Sequence, residues 1–179
     1  MTAAGPTRSP LPRLTLVLGG ARSGKSRQAE RLVLASGLEP VYLATAEALD
    51  DEMAARIAAH RLRRGPEWRT VEVPLDLTGA LSRECTPGRA VLVDCLTLWL
   101  TNLMVRERAL PAEMKRLIEA LPGLSGPLVL VSNEVGLGVV PVAAMARAFV
   151  DHAGTLHQRI AAQADAVVLM TAGLPQRLK

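Results

Sequence analysis

Aromatic side chains are nearly missing from this chain: Tyr42, Trp68, Trp99 and Phe149 are the four among 179 residues. Proteins that hold single-stranded nucleic acid stack its bases on aromatic platforms, so the composition argues against single-strand binding, and no nucleic-acid partner is expected. With 49% hydrophobic residues, the core has to be built from Leu, Val, Ala and Ile, which suits parallel strands buried beneath Ala-rich helices. Cysteine is scarce as well. Cys85 and Cys95 form neither a metal-ligand spacing nor a disulfide framework, and Cys95 falls in an apolar run as a small core residue, so a reducing cytoplasm is the expected setting. No apolar run reaches transmembrane length, and no integral membrane segment is expected. Neither sign of charge dominates. Twenty-one basic against 17 acidic residues leave a net +4, a mild excess that fits a small polyanion as well as nucleic acid and decides little alone. The length suits one domain, expected over residues 14–179. Residues 1–13, with Pro6, Pro10 and Pro12, read as a disordered leader.

What is present is a phosphate-binding pattern in its required context. The apolar run Leu14 to Leu18 leads into Gly19-Gly20-Ala21-Arg22-Ser23-Gly24-Lys25-Ser26, and the helix formers Arg27 to Leu34 follow. Strand, glycine-rich loop and helix in that order make a P-loop. Gly19, Gly20 and Gly24 let backbone N–H groups approach phosphate oxygens. Lys25 supplies a point charge to the outer phosphates, Ser26 a hydroxyl to Mg²⁺, and the helix N-terminus its positive dipole. Further on, Ala90-Val91-Leu92-Val93-Asp94 is an apolar strand closed by a carboxylate. This is the Walker B arrangement, in which Asp94 holds the Mg²⁺ shell opposite Ser26.

The remaining segments are less specific. Thr45-Ala46-Glu47 lies just past the strand Val41 to Ala44, on the ligand side of an open α/β sheet, although a loop with a capping hydroxyl gives the same pattern. Asp50-Asp51-Glu52 opens a helix on which Met53, Ile57 and His60 share a face. His60 reads either as a packed histidine or, beside Arg61, Arg63 and Arg64, as a nucleophile within a second phosphate clamp. Trp68 to Val73 reads as an edge strand ending at Pro74, and Glu72 as solvent-facing. The apolar stripe Leu96, Trp99, Leu100, Leu103 and Met104 is core or a subunit contact. Asn133-Glu134 closes the strand Leu128 to Ser132, and the loop Val135 to Pro141 either moves over a ligand or simply connects. A long helix over 142–164 carries His152 and His157 in structural roles. Ala166 to Met170 reads as the last strand and Gly173 to Lys179 as a tail. Strands and helices in alternation give an α/β fold, a mostly parallel sheet with helices on both faces.

Taken together, residues 14–179 resemble the bifunctional adenosylcobinamide kinase/adenosylcobinamide-phosphate guanylyltransferase family. The matching segments are the P-loop at 19–26, Ala44-Thr45, Asp50 to Ile57 followed by His60, Trp68-Arg69-Thr70, Thr101-Asn102-Leu103, and Ser132 to Pro141. The resemblance implies a RecA-like P-loop NTPase fold and a two-step reaction. ATP or GTP first phosphorylates the aminopropanol hydroxyl of adenosylcobinamide. GTP then gives GMP to an enzyme histidine, and the phosphorylated corrinoid takes it to become adenosylcobinamide-GDP. His60 matches that histidine. The same carry-over assigns nucleotide contacts to residues 19–26, to Thr45, Ala46 and Glu47, to Arg61, Leu62, Arg63 and Arg64, and to Glu72 and Asp94. It also implies a homotrimer, with the 96–104 stripe as a contact. Asp94 stands where some members have Glu, and His157 where Asn is often found. A RecA-like nucleotide-dependent switch or DNA-associated ATPase is the alternative. It needs the P-loop and Asp94 but not His60.

Overall fold

The computed structural model describes residues 11–48 and 50–179, apart from the Arg56 side chain. In chain order the elements are β1 (Leu14–Gly19), α1 (Lys25–Ser36), β2 (Glu39–Ala44), α2 (Asp51–Arg63), β3 (Arg69–Glu72), α3 (Leu77–Glu84) and β4 (Arg89–Asp94). There follow α4 (Leu96–Val105), α5 (Leu110–Ala120), a 3₁₀ turn (Leu121–Gly123), β5 (Leu128–Asn133), α6 (Ala144–Gln163), β6 (Ala166–Thr171) and β7 (Leu174–Arg177).

Among the described residues the strands form one seven-stranded sheet in the order β3-β2-β4-β5-β1-β6-β7. Every pairing is parallel except β6 with β7. Side chains alternate between two cores, as strand geometry requires. Leu16, Leu43, Val93 and Leu130 point into the larger one, with Leu77, Leu100, Leu117 and Leu156 of α3, α4, α5 and α6. Val17, Tyr42, Leu92 and Val131 point the other way, onto Ala29 and Val33 of α1. The near-continuous apolar strands thus have both faces covered, the arrangement that parallel sheets require.

The stripe of α4 belongs to the first core. Leu96, Trp99, Leu100 and Leu103 are at most 1% exposed, and Trp99 Nε1 donates to Leu75 O at 2.8 Å. Of the two readings of this stripe, core or subunit contact, the structure shows core, because its apolar surface is covered within the chain. The large apolar side chains that do face outward include Leu137, Val139, Val140, Val142 and Met145, all more than 70% exposed.

A correction concerns the C-terminal segment. Residues 174–177 are not a tail but β7, paired antiparallel to β6. Ala172 and Gly173 turn the hairpin with positive φ at both positions (52° and 82°), the conformation of a two-residue turn that matches strand twist. Residues 1–10 of the expected leader lie outside the described residues. Leu11 packs against the second core, the Arg13 guanidinium donates to Leu121 O at 3.2 Å, and Leu128 N donates to Arg13 O.

Candidate active site

The parallel register brings the carboxyl ends of five strands into one row. Gly19 pairs with Asn133, Val131 with Asp94, Asp94 with Ala44, and Ala44 with Glu72. Because β5 lies between β1 and β4, the P-loop and Asp94 sit about two strand spacings apart, about 10 Å. Most of the candidate residues read from the sequence open onto this edge.

The P-loop glycines have three different reasons. A Cβ on Gly19 would lie 2.6 Å from Met170 O and from Ser23 Oγ, so that position is filled by β6 and the loop itself. Gly24 caps α1 with φ 94°, in the left-handed region that favours glycine. Gly20 has nothing within 4 Å of a built Cβ, which leaves the open side of the loop for a ligand. Lys25 Nζ donates to Gly20 O at 2.6 Å, spanning the loop. The Ser23 hydroxyl is buried with no hydrogen-bond partner among the described residues, as a donor meant for a ligand would be. Ala21 and Arg22 are exposed on the rim, Arg22 with φ 55°, and Ser26 is half-buried in the first turn of α1. The β6–β7 hairpin braces the loop, for Gly173 N donates to Ser23 O at 3.1 Å.

Asp94 is the hub of the row. Tyr42 Oη donates to its Oδ2 at 3.0 Å, and His60 Nδ1 stands 4.0 Å from the same oxygen. Burial and the neighbouring carboxylate raise the Tyr42 pKa, which keeps the phenol a donor. Thr45 is fully buried. Its hydroxyl accepts from Cys95 N and donates to Cys95 O, both at 2.8 Å, while Asn102 Nδ2 donates to Thr45 O at 2.7 Å. These bonds engage the Thr45 hydroxyl on both sides, so it acts by locking the β2 and β4 ends together and fixing the backbone beside Asp94. Ala46 is half-buried, and Glu47 pairs with Arg106 at 2.5 Å. Burial pushes the Cys95 thiol up to about 11, which leaves it a protonated core group.

Helix α2 brings His60 to this hub. The Asp50 carboxylate caps it, accepting from Met53 N at 2.7 Å. Met53, Ile57 and His60, which share a face by spacing, are the half-buried positions of the helix, and its other described side chains are exposed. The His60 pKa is lowered, first by burial, with Asp94 opposing and Arg63 and Arg64 reinforcing. The neutral ring therefore predominates near pH 7. The arginines do not converge on one point. Arg61 pairs with Glu72, Arg63 with Glu30 through two hydrogen bonds of 3.1 and 2.7 Å, and the Arg64 guanidinium stacks 3.5 Å above the Tyr42 ring. Leu62 is 87% exposed and touches none of this. Arg61, Arg64, Gly65, Trp68, Thr70 and Glu72 line an open depression of about 440 Å³ beside the hub.

Tyr42 and Glu30 are not among the residues singled out from the sequence. Both carried a signal: Tyr42 is the one aromatic in an apolar strand, and Glu30 is a carboxylate flanked by Ala29 on the buried face of α1.

Comparison with known proteins identifies the family. The model of the cobinamide kinase / cobinamide phosphate guanyltransferase family matches residues 15–178. The chain belongs to that family. Among the family's members, it is 55% identical over 166 residues to the bifunctional adenosylcobalamin biosynthesis protein CobP of Pseudomonas aeruginosa, covering 92% of this chain and 96% of that one. Its identity to CobU of Escherichia coli, described in the same words, is 41% over 181 residues, covering 93% and 99%. Among solved structures the RadB recombinase superposes with a TM-score of 0.53 at 19% identity, covering 90% of this chain and 76% of that one. The flagellar accessory protein FlaH of Methanocaldococcus jannaschii gives 0.51 at 15%, covering 95% and 79%. These likenesses establish the P-loop NTPase fold that this cobinamide kinase / guanyltransferase shares. They carry no function with them, and the reading as a recombinase-like switch yields to the family match.

Proposed function

We propose that this bifunctional cobinamide kinase and cobinamide-phosphate guanylyltransferase transfers GMP through His60, and that one P-loop binds the nucleotide. The observation that carries the reading is the placement of a neutral, half-buried imidazole 4.0 Å from a carboxylate, on the sheet edge that also bears the P-loop. Asp94 orients the ring by favouring a proton on Nδ1, which leaves the Nε2 lone pair for attack. Nε2 attacks the α-phosphorus of GTP, a nitrogen–phosphorus bond forms, and the bond to the bridging oxygen breaks so that pyrophosphate leaves. A phosphate oxygen of adenosylcobinamide phosphate then attacks the same phosphorus, and the nitrogen–phosphorus bond breaks to free the imidazole. In the kinase step the P-loop and Lys25 hold the triphosphate while the aminopropanol hydroxyl of adenosylcobinamide attacks the terminal phosphorus of ATP or GTP, the bond to the bridging oxygen breaks so that the nucleoside diphosphate leaves, and the hydroxyl proton passes to solvent.

Other parts of the edge fit a guanine nucleotide. Arg64 and the exposed edge of the mostly buried Trp68 line the depression, and the Glu72 carboxylate is the acceptor type that guanine's adjacent N–H donors require. Ser26 and Asp94 are hard oxygen donors of the kind Mg²⁺ takes together with phosphate and water oxygens, so the residues fit the ion. When bound, it supplies charge neutralisation at the phosphates. We place the enzyme in the cytoplasm. Among the described residues, no helix is long and apolar enough to cross a membrane. We propose a single domain over residues 14–179 and a homotrimer that uses the exposed apolar segment around 137–145 rather than α4.

The test is a split assay. His60→Ala is expected to phosphorylate adenosylcobinamide at close to the wild-type rate and to form no adenosylcobinamide-GDP. Retention of the guanylyltransferase activity in this variant would refute the covalent route.

A further inference from the structure

Helix α2 carries the proposed nucleophile, yet none of its described side chains is buried. Apolar burial, the usual source of helix docking, is therefore a minor contribution here, and polar contacts have to fix the helix against the body. Among the described residues, the pairs made by Arg61, His60 and Arg63 are such contacts, beside the stacking of Arg64 on Tyr42 just past the helix, and they are unequal. Arg61 and Glu72 are 54% and 68% exposed at their side chains, the setting in which ion pairs contribute least. His60 and Asp94 are 4.0 Å apart, beyond hydrogen-bond distance. The third joins Arg63 to Glu30, whose residue is 7% exposed. Arg63 Nε donates to Oε2 at 3.1 Å and Nη2 to Oε1 at 2.7 Å. Two parallel bonds from a planar guanidinium to a carboxylate fix direction as well as distance.

The two ends of this fork lie where they matter. Glu30 is on α1, the helix whose first residues are Lys25 and Ser26 of the P-loop. Arg63 follows His60 by three positions on α2, and residues at that spacing are surface neighbours on a helix. The fork thus ties the P-loop helix to the His60 helix at one turn's distance from the imidazole. We infer that Glu30 is a positioning residue for guanylyl transfer: its carboxylate grips Arg63 and so sets the His60 ring against the nucleotide held by the P-loop. This rests on the reading of His60 as the GMP carrier. Glu30 itself touches no reacting atom.

The experiment follows the rate at which α-labelled GTP labels the intact protein, alongside kinase turnover, in wild type, Glu30→Gln and the double variant Glu30→Gln/Arg63→Lys. Gln keeps the shape of Glu30 but removes the charge and one of the two acceptors. The expected result is a tenfold or greater fall in labelling by Glu30→Gln with kinase turnover within twofold of wild type. The double variant should label about as slowly as Glu30→Gln alone, because the charged two-bond fork that Arg63→Lys weakens is already broken by the loss of one acceptor and the charge. Equal labelling by wild type and Glu30→Gln overturns the positioning role and leaves the His60 reading standing. A parallel loss of labelling and kinase turnover also overturns it, since that is the mark of a damaged P-loop helix. No label on the wild type overturns the His60 reading and this inference with it.

Discussion

Single side chains divide into those proposed to meet the nucleotide and those that hold others in place. Thr45 belongs to the second group, because its buried hydroxyl bonds both the N–H and the C=O of Cys95. Thr45→Val keeps the shape and leaves the buried Cys95 N–H unpaired, while Cys95 O still accepts from Trp99 N, so a loss of about 2 kcal/mol is expected in denaturant unfolding. The His60 pKa is lowered by burial, so the proposed nucleophile stays unprotonated as pH falls. The acid limb of the guanylyl-transfer rate should accordingly turn below pH 6.5, whereas a raised pKa would move it above. His157 gives a stability effect of the same sign. Its Nε2 lies 2.7 Å from Ser132 Oγ in a buried site, and burial lowers its pKa against a smaller opposing effect from Glu134. As pH falls below about 6.5 the unfolded histidine binds a proton and the folded one does not, so stability is lost from there down to the folded pKa. Thermal unfolding between pH 7.5 and 5.5 should show wild type losing more Tm than His157→Asn. Residue roles were only partly legible in the sequence. The P-loop is, because its spacing is its mechanism. The roles of Glu30 and Thr45 are not, because they depend on partners 33 and 50 positions away.

At the scale of elements, α2 and the β6–β7 hairpin depart most from what sequence patterning conveys. The helix, its Asp50 cap and its inward face of Met53, Ile57 and His60 all follow from local signals. Its attachment does not, since periodicity finds apolar faces and this helix is docked through charges. Raising salt from 0.05 to 1 M should slow GMP labelling of the protein by about twofold at most and leave global stability nearly unchanged, because the exposed Arg61–Glu72 pair is screened while the fork on the nearly buried Glu30 and the apolar cores are screened much less. The hairpin is hard to read for a different reason. Strand β7 is exposed along its length and contains Pro175, so it shows no alternation, and Ala172 replaces the Asn or Gly that marks such a turn. Its role as a brace for Ser23 is a tertiary fact that local sequence does not carry.

For the whole molecule, the parallel sheet is legible because every central strand is an apolar run with covered faces. The order β3-β2-β4-β5-β1-β6-β7 then determines the site, since it places Asn133 between the P-loop strand and Asp94. The 96–104 stripe shows the limit: composition announces an apolar helix but not which body covers it, and here α5, α6 and the sheet do. Trp99 is fully buried at the centre of that packing. Trp99→Ala should cost about 3–5 kcal/mol in unfolding free energy, without altering the subunit number by size-exclusion chromatography with light scattering. The central claim is that this fold carries GMP covalently on His60. The most direct measurement is to incubate the protein with Mg²⁺ and α-labelled GTP, digest it under alkaline conditions, and locate the label. An acid-labile, base-stable label on the peptide containing His60, chased into product by adenosylcobinamide phosphate, is the predicted result. Label elsewhere, or a protein that forms adenosylcobinamide-GDP without becoming labelled, would contradict the account.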